Sequence, residues 1–153
     1  MTVQRTLRAP IEGVFDILAD HESYAQMPEV RSAKLVRPGS GERNGVGAIR
    51  EIDFGSAWFR EEITTFERPT RLDYRVLKSR PPIDEVSSIR LRPVEVGTDV
   101  TWTARLRVTY PFVGALLTVY VARQLARGFE AFLAATEGRA VPRASPLPAI
   151  RRP

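Results

Sequence analysis

The chain has 153 residues, 23 Lys and Arg against 18 Asp and Glu for a formal charge of +5, and is 43% apolar and 27% charged. That describes one soluble domain, long enough to bury about two-thirds of its unfolded surface around a single core. With no cysteine and one histidine, disulfides, thiolate chemistry and multi-histidine metal centres are excluded, and neither a metal nor a cofactor is expected.

Thr2 to Arg8 reads as a short β segment, alternating and without the hydrophobic stretch of a secretion signal. Pro10 suits the first turn of a helix. Ile11, Val14, Phe15 and Leu18 then follow at i, i+3, i+4 and i+7, one apolar stripe. A second helical turn is expected at Glu22–Gln26, before Met27-Pro28 breaks it. His21, between Asp20 and Glu22, falls in the connection of the two helices and is read as an exposed loop residue rather than a general base.

From Val30 to Val108 the period is two. Strands are expected at Val30–Arg37, Val46–Phe54, Ala57–Phe66, Leu72–Leu77, Val86–Val94 and Asp99–Val108. Their short connections call for an antiparallel meander, since parallel pairing needs long crossovers. Gly45-Val46-Gly47 lacks a third glycine and opens a strand, so it is no dinucleotide loop. Asp84 and Glu85, beside Pro81-Pro82, are placed in a loop and are too isolated for a metal site.

After Pro111 a long helix is expected from Phe112 to Glu137, with Gly138 as its stop. Thr118, Val121, Ala122, Leu125, Phe129, Phe132 and Leu133 share its apolar face, opposite Tyr120, Arg123, Arg127 and Glu130. The most apolar run, Phe112 to Ala122, is too short to span a membrane, which needs about 20 residues. From Arg139 on there are four arginines, no acid and four of the twelve prolines, leaving 19 basic against 18 acidic residues in 1–138. The domain is therefore expected over 1–138, with 139–153 a disordered, mildly basic tail. No nucleic-acid partner is expected of so neutral a body, and the location expected is cytoplasmic.

The fold class that follows is α+β: a curved antiparallel sheet wrapped around the long C-terminal helix, with two short helices near the N-terminus and a space between the layers. Strand parity says which side chains enter that space. Val100, Trp102, Ala104, Leu106 and Val108 point in from the last strand, Leu72, Tyr74 and Val76 from the fourth, Ile89 and Leu91 from the fifth. Arg90, Arg92, Arg105 and Arg107 fall outside, as a solvated face or a partner-binding patch.

The second strand breaks the pattern, because Arg50 shares a parity with Val46, Ala48, Ile52 and Phe54. Gly55-Ser56 fits a two-residue hairpin turn, and that register sets Ile52 against Phe59 and Arg50 against Glu61. An inward arginine needs such a carboxylate. The pair reads either as a polar anchor for a mostly apolar ligand or as a structural ion pair, and a slip of one residue would substitute Glu62.

The order of elements, with Ala19-Asp20-His21-Glu22-Ser23-Tyr24 through Met27-Pro28, then Gly45–Arg50, Arg60-Glu61-Glu62, Pro69 before Leu72-Asp73-Tyr74, and Gly97–Trp102, resembles the START-like (SRPBCC) superfamily with its helix-grip fold. It looks most like the polyketide cyclase/dehydrase and lipid-transport branch, over about residues 2–137. The resemblance implies a cavity holding a small hydrophobic molecule such as a lipid, polyketide, aromatic compound or quinone. Cavity residues expected on that basis are Arg50, Glu61, Tyr74, Leu91, Trp102, Thr118, Val121, Leu125 and Phe129. Three readings stay open: a binding or carrier module; a cyclase, aromatase or dehydratase using Arg50, Glu61 and Tyr74; and an interaction module with its cavity filled.

Overall fold

The computed structural model describes residues 1–110 and 114–140. Strand β1 (Thr2–Leu7) leads into helix α1 (Ile11–Ala19) and a short 3-10 helix (His21–Gln26). Six strands follow: β2 (Ser32–Arg37), β3 (Ile49–Asp53), β4 (Trp58–Glu67), β5 (Arg71–Arg80), β6 (Ile83–Val94) and β7 (Gly97–Val108). Helix α2 (Gly114–Ala140) closes the described chain.

All seven strands form one antiparallel sheet in the order β1-β7-β6-β5-β4-β3-β2. The meander from β2 to β7 is the expected one, and β1 adds to its far edge. Register shifts lie between Arg60 and Glu61 and between Ile63 and Thr65 on β4. Such bulges sharpen the local twist and help the sheet curl over α2. The β3–β4 hairpin turns at Gly55, whose φ of +81° a side-chain-bearing residue adopts only with strain, and Phe54 N–H donates to the Ala57 carbonyl at 2.8 Å.

The core lies in two parts. Val14, Phe15 and Leu18 of α1 pack with Leu7, Ile63, Leu72, Ile89, Val100 and Leu133, filling one end of the grip. Phe59, Ile83 and Val108 gather with Val76, Leu117, Val121 and Leu125 at the other. Helix α2 runs past both. Gly138, expected as its stop, lies inside it: the helix continues through Ala140, and Arg139 donates to Gln26 Oε1 at 3.2 Å. The expected start at Phe112 and the tail from 141 onward lie outside the described residues. No helix among the described residues is long and apolar enough to cross a membrane.

Candidate functional site

Between the two core clusters the sheet and α2 stand apart around a cavity of about 420 Å³. Alternation carries Ile52, Phe59, Tyr74, Ile83 and Trp102 into it from the strands. Helical spacing carries Val121, Leu125, Phe129 and Phe132 from the other side. The Phe129 ring stacks on the Trp102 indole at 3.9 Å between centroids, and Phe132 meets the indole edge-on. Phe54, Ala57, Pro81, Tyr120 and Gln124 border it as well.

The polar part of the wall is built around Arg50, 1% exposed. In the register of the Gly55 hairpin Arg50 lies opposite Glu61, and its Nε–H donates to Glu61 Oε2 at 2.6 Å. Its Nη1 donates to the Tyr24 hydroxyl at 3.1 Å, and that hydroxyl donates in turn to the Leu18 carbonyl at 2.5 Å. The guanidinium carbon lies 5.0 Å from the Tyr24 ring centre and 4.8 Å from that of Tyr74. Burial works against this charge, but Glu61 and the two tyrosines hold its pKa above the ordinary arginine value. Arg50 is a cation at all working pH.

Beside the pair is a second carboxyl, Glu85, 5% exposed. Ser87 Oγ donates to its Oε1 at 2.7 Å, and Trp102 Nε1 donates to the Tyr74 hydroxyl at 3.2 Å. Burial, then the Glu61 charge, pushes Glu85 up to about pKa 7. Burial first, then Glu85 and Glu61, raises the Tyr74 phenol well above its usual range. Tyr74 therefore stays a neutral hydroxyl, whereas Glu85 exchanges a proton near neutrality.

Seven of the nine residues expected at the cavity border it: Arg50, Glu61, Tyr74, Trp102, Val121, Leu125 and Phe129. Leu91 does not, because it lies farther along β6 within the α1-side core. Thr118 does not either; its hydroxyl donates to the Gly114 carbonyl at 2.7 Å and accepts the Val108 N–H at 3.0 Å, bracing the start of α2 against the end of β7. Glu62 points to the outer face, paired with Arg37 and Arg75.

Three corrections concern polar residues. His21 is fully buried rather than exposed, because the 3-10 helix packs beneath β2 and turns His21 and Tyr24 inward together. Neither ring nitrogen has a hydrogen-bond partner among the described residues, and burial, helped by the Arg50 charge, lowers its pKa to about 2. Glu85 lies on β6 rather than in a loop, since that strand begins directly after Pro82. Tyr24, absent from the expected set, is the third: it connects Arg50 to α1. Carrying the Ile89 and Leu91 parity back to Ser87 and Glu85 would have found the carboxyl. Among the described residues no three His, Asp or Glu side chains are grouped as metal ligands.

Residues 1–140 match the family described as "Polyketide cyclase / dehydrase and lipid transport". No protein among curated sequences matches the chain. Among solved structures it is similar to TTHA0849 from Thermus thermophilus, with TM-score 0.77, 21% identity, and 95% of this chain and 99% of that one covered. A START superfamily protein from Mycobacterium smegmatis gives 0.74 at 14% identity, covering 90% and 97%. The di-domain ARO/CYC BexL of the BE-7585A biosynthetic pathway gives 0.75 at 18%, covering 94% of this chain and 50% of that one. At these identities the likeness establishes the helix-grip fold.

Proposed function

The chain belongs to the polyketide cyclase/dehydrase and lipid-transport family, and on that premise we propose that it binds and carries one small, mainly apolar molecule between the sheet and α2. One observation carries the reading: an open space of about 420 Å³, walled by aromatic and aliphatic side chains, with a few polar groups gathered around Arg50. Its size and composition suit small-molecule sites, which run to roughly 300–1,000 Å³. A buried ion pair is seldom worth more than an apolar filling would be. Its place on a cavity wall is accounted for if it orients a ligand's polar end.

Carriage is preferred to cyclisation because the polar groups are largely occupied with one another. Arg50 is bonded to Glu61 and Tyr24, and the Tyr74 oxygen accepts from Trp102. A cyclase or dehydratase reading is favoured by one group only, Glu85, whose pKa of about 7 suits proton transfer at neutral pH.

Native mass spectrometry of the purified protein, with and without added 2-acetylnaphthalene, tests the proposal. The expected result is a single bound small molecule, lost in Gly128→Leu. Gly128 borders the cavity on an exposed stretch of α2 and a Cβ there meets no atom within 4 Å, so a larger side chain can be introduced at the cavity's border. A protein that holds nothing and takes up no probe would overturn the reading, and turnover of an added poly-β-ketone would replace carriage with catalysis.

A further inference from the structure

We propose that Glu85, in its protonated form, donates a hydrogen bond to a carbonyl oxygen of an uncharged, otherwise apolar ligand, so that binding takes up a proton. The inference rests on the cavity-binding reading above and narrows the ligand to neutral carbonyl compounds.

The geometry begins with β6, whose alternation turns Ile83, Glu85, Ser87 and Ile89 to the inner face. Several groups face Glu85 across the cavity or beside it: Tyr74 on β5, Glu61 on β4, Arg50 on β3 and Tyr24 on the 3-10 helix. Its register partner on β7 is Leu106, with Trp102 nearby, and neither titrates. Helix α2 brings Tyr120 to the cavity border, and Glu29 stands on the same border. Among the described residues Arg50 is the one cation on the cavity wall, and its Nε–H is committed to Glu61.

Glu85 therefore has no cation of its own. Ionised, it places a second carboxylate beside Glu61 in poorly hydrated surroundings; protonated, it offers an O–H. Ser87 donates to one of its oxygens and the Tyr74 hydroxyl also reaches the carboxyl, so the O–H of the protonated acid goes to an acceptor that competes with Tyr74 for it. A carbonyl oxygen is such an acceptor. A ligand seated there also excludes water from the carboxyl, which favours the neutral form further. Because burial and Glu61 hold the empty site near pKa 7, the protonated fraction falls about tenfold per pH unit above it, and affinity falls with it.

The test titrates the whole protein with two neutral probes of nearly equal shape, 2-acetylnaphthalene and 2-isopropylnaphthalene, which lacks the carbonyl. From about pH 6 to about pH 8 the ketone should weaken about tenfold, while the hydrocarbon, which desolvates the carboxyl but accepts no hydrogen bond from it, should weaken clearly less. Calorimetry near pH 8 in buffers of different ionisation enthalpy should show close to one proton taken up per ketone bound. Glu85→Gln should bind the ketone with no pH dependence; the contrast of the two probes on the unaltered protein decides the matter even if that variant folds poorly. Equal, pH-independent binding of both probes overturns the role of Glu85 and leaves the cavity reading standing. An amine probe such as 2-(aminomethyl)naphthalene that binds more tightly than the ketone as pH rises also overturns it. Failure of every probe to bind sinks the cavity reading, and this inference with it.

Discussion

Replacing Arg50 by methionine keeps the length of the stem and removes the charge. The variant loses the 2.6 Å bond to Glu61, the bond to Tyr24 and the contacts with two aromatic rings. What remains is Glu61 at 6% and Glu85 at 5% exposure, with no other cation on the cavity wall among the described residues. Breaking one side of a buried pair costs about 3–5 kcal/mol, which for a chain of this length lowers Tm by roughly 6–20 °C. The loss is largest near about pH 8, with both carboxyls charged, and shrinks toward about pH 5 as a proton neutralises one of them. Removing both charges in Arg50→Met with Glu61→Leu should bring stability back to within about 2 kcal/mol of the native protein. Urea unfolding followed by tryptophan emission and far-UV circular dichroism at both pH values reads these differences. A loss below about 1 kcal/mol, or one that does not lessen on acidification, refutes a desolvated guanidinium holding two carboxyls.

Three further outcomes follow from the same wall. Glu85 has a folded pKa of about 7, above its unfolded value, so its contribution to stability is lost as pH rises between about 4.5 and about 7; Glu85→Gln should stabilise the ligand-free protein by about 2–3 kcal/mol at about pH 8 and not at about pH 4, by chemical denaturation. His21 has a folded pKa of about 2, below its unfolded value, so the native protein loses stability as pH falls below about 6.5; at about pH 4.5 His21→Leu should recover about 2–3 kcal/mol that it does not gain at about pH 8. Gly128→Leu should raise stability by about 1 kcal/mol through helix propensity while blocking probe uptake; a binding loss that comes with a lower Tm would contradict the open space there.

Much of the site was legible because two local rules coincide. Glycine at the start of a two-residue turn sets a hairpin register, and a period of two then decides which side chains enter the interior. Together they place Arg50 against Glu61 and Tyr74 on the same inner face. Parity names a face but not a level along the strand, which is why Leu91 points inward yet sits among the α1-side core rather than at the cavity. Glu85 was obscured by Pro81-Pro82, which punctuates the chain but here stands immediately before a strand. His21 and Tyr24 are three residues apart on a 3-10 helix, so they share a face. Six residues, two turns at three residues per turn, give too little pattern to show which face is buried. Gly138 reads as a stop, yet α2 carries on because Arg139 and Ala140 find partners on the 3-10 helix and α1.

Trp102 is both wall and reporter, since its indole borders the cavity and stacks on Phe129, and the chain has only one other tryptophan, Trp58. Titrating Trp58→Phe protein with 2-acetylnaphthalene and following Trp102 emission should give a saturable change at one probe per chain, weakened at least about tenfold by adding Gly128→Leu. An emission that does not respond, or a response indifferent to residue 128, would contradict a ligand seated between the sheet and α2.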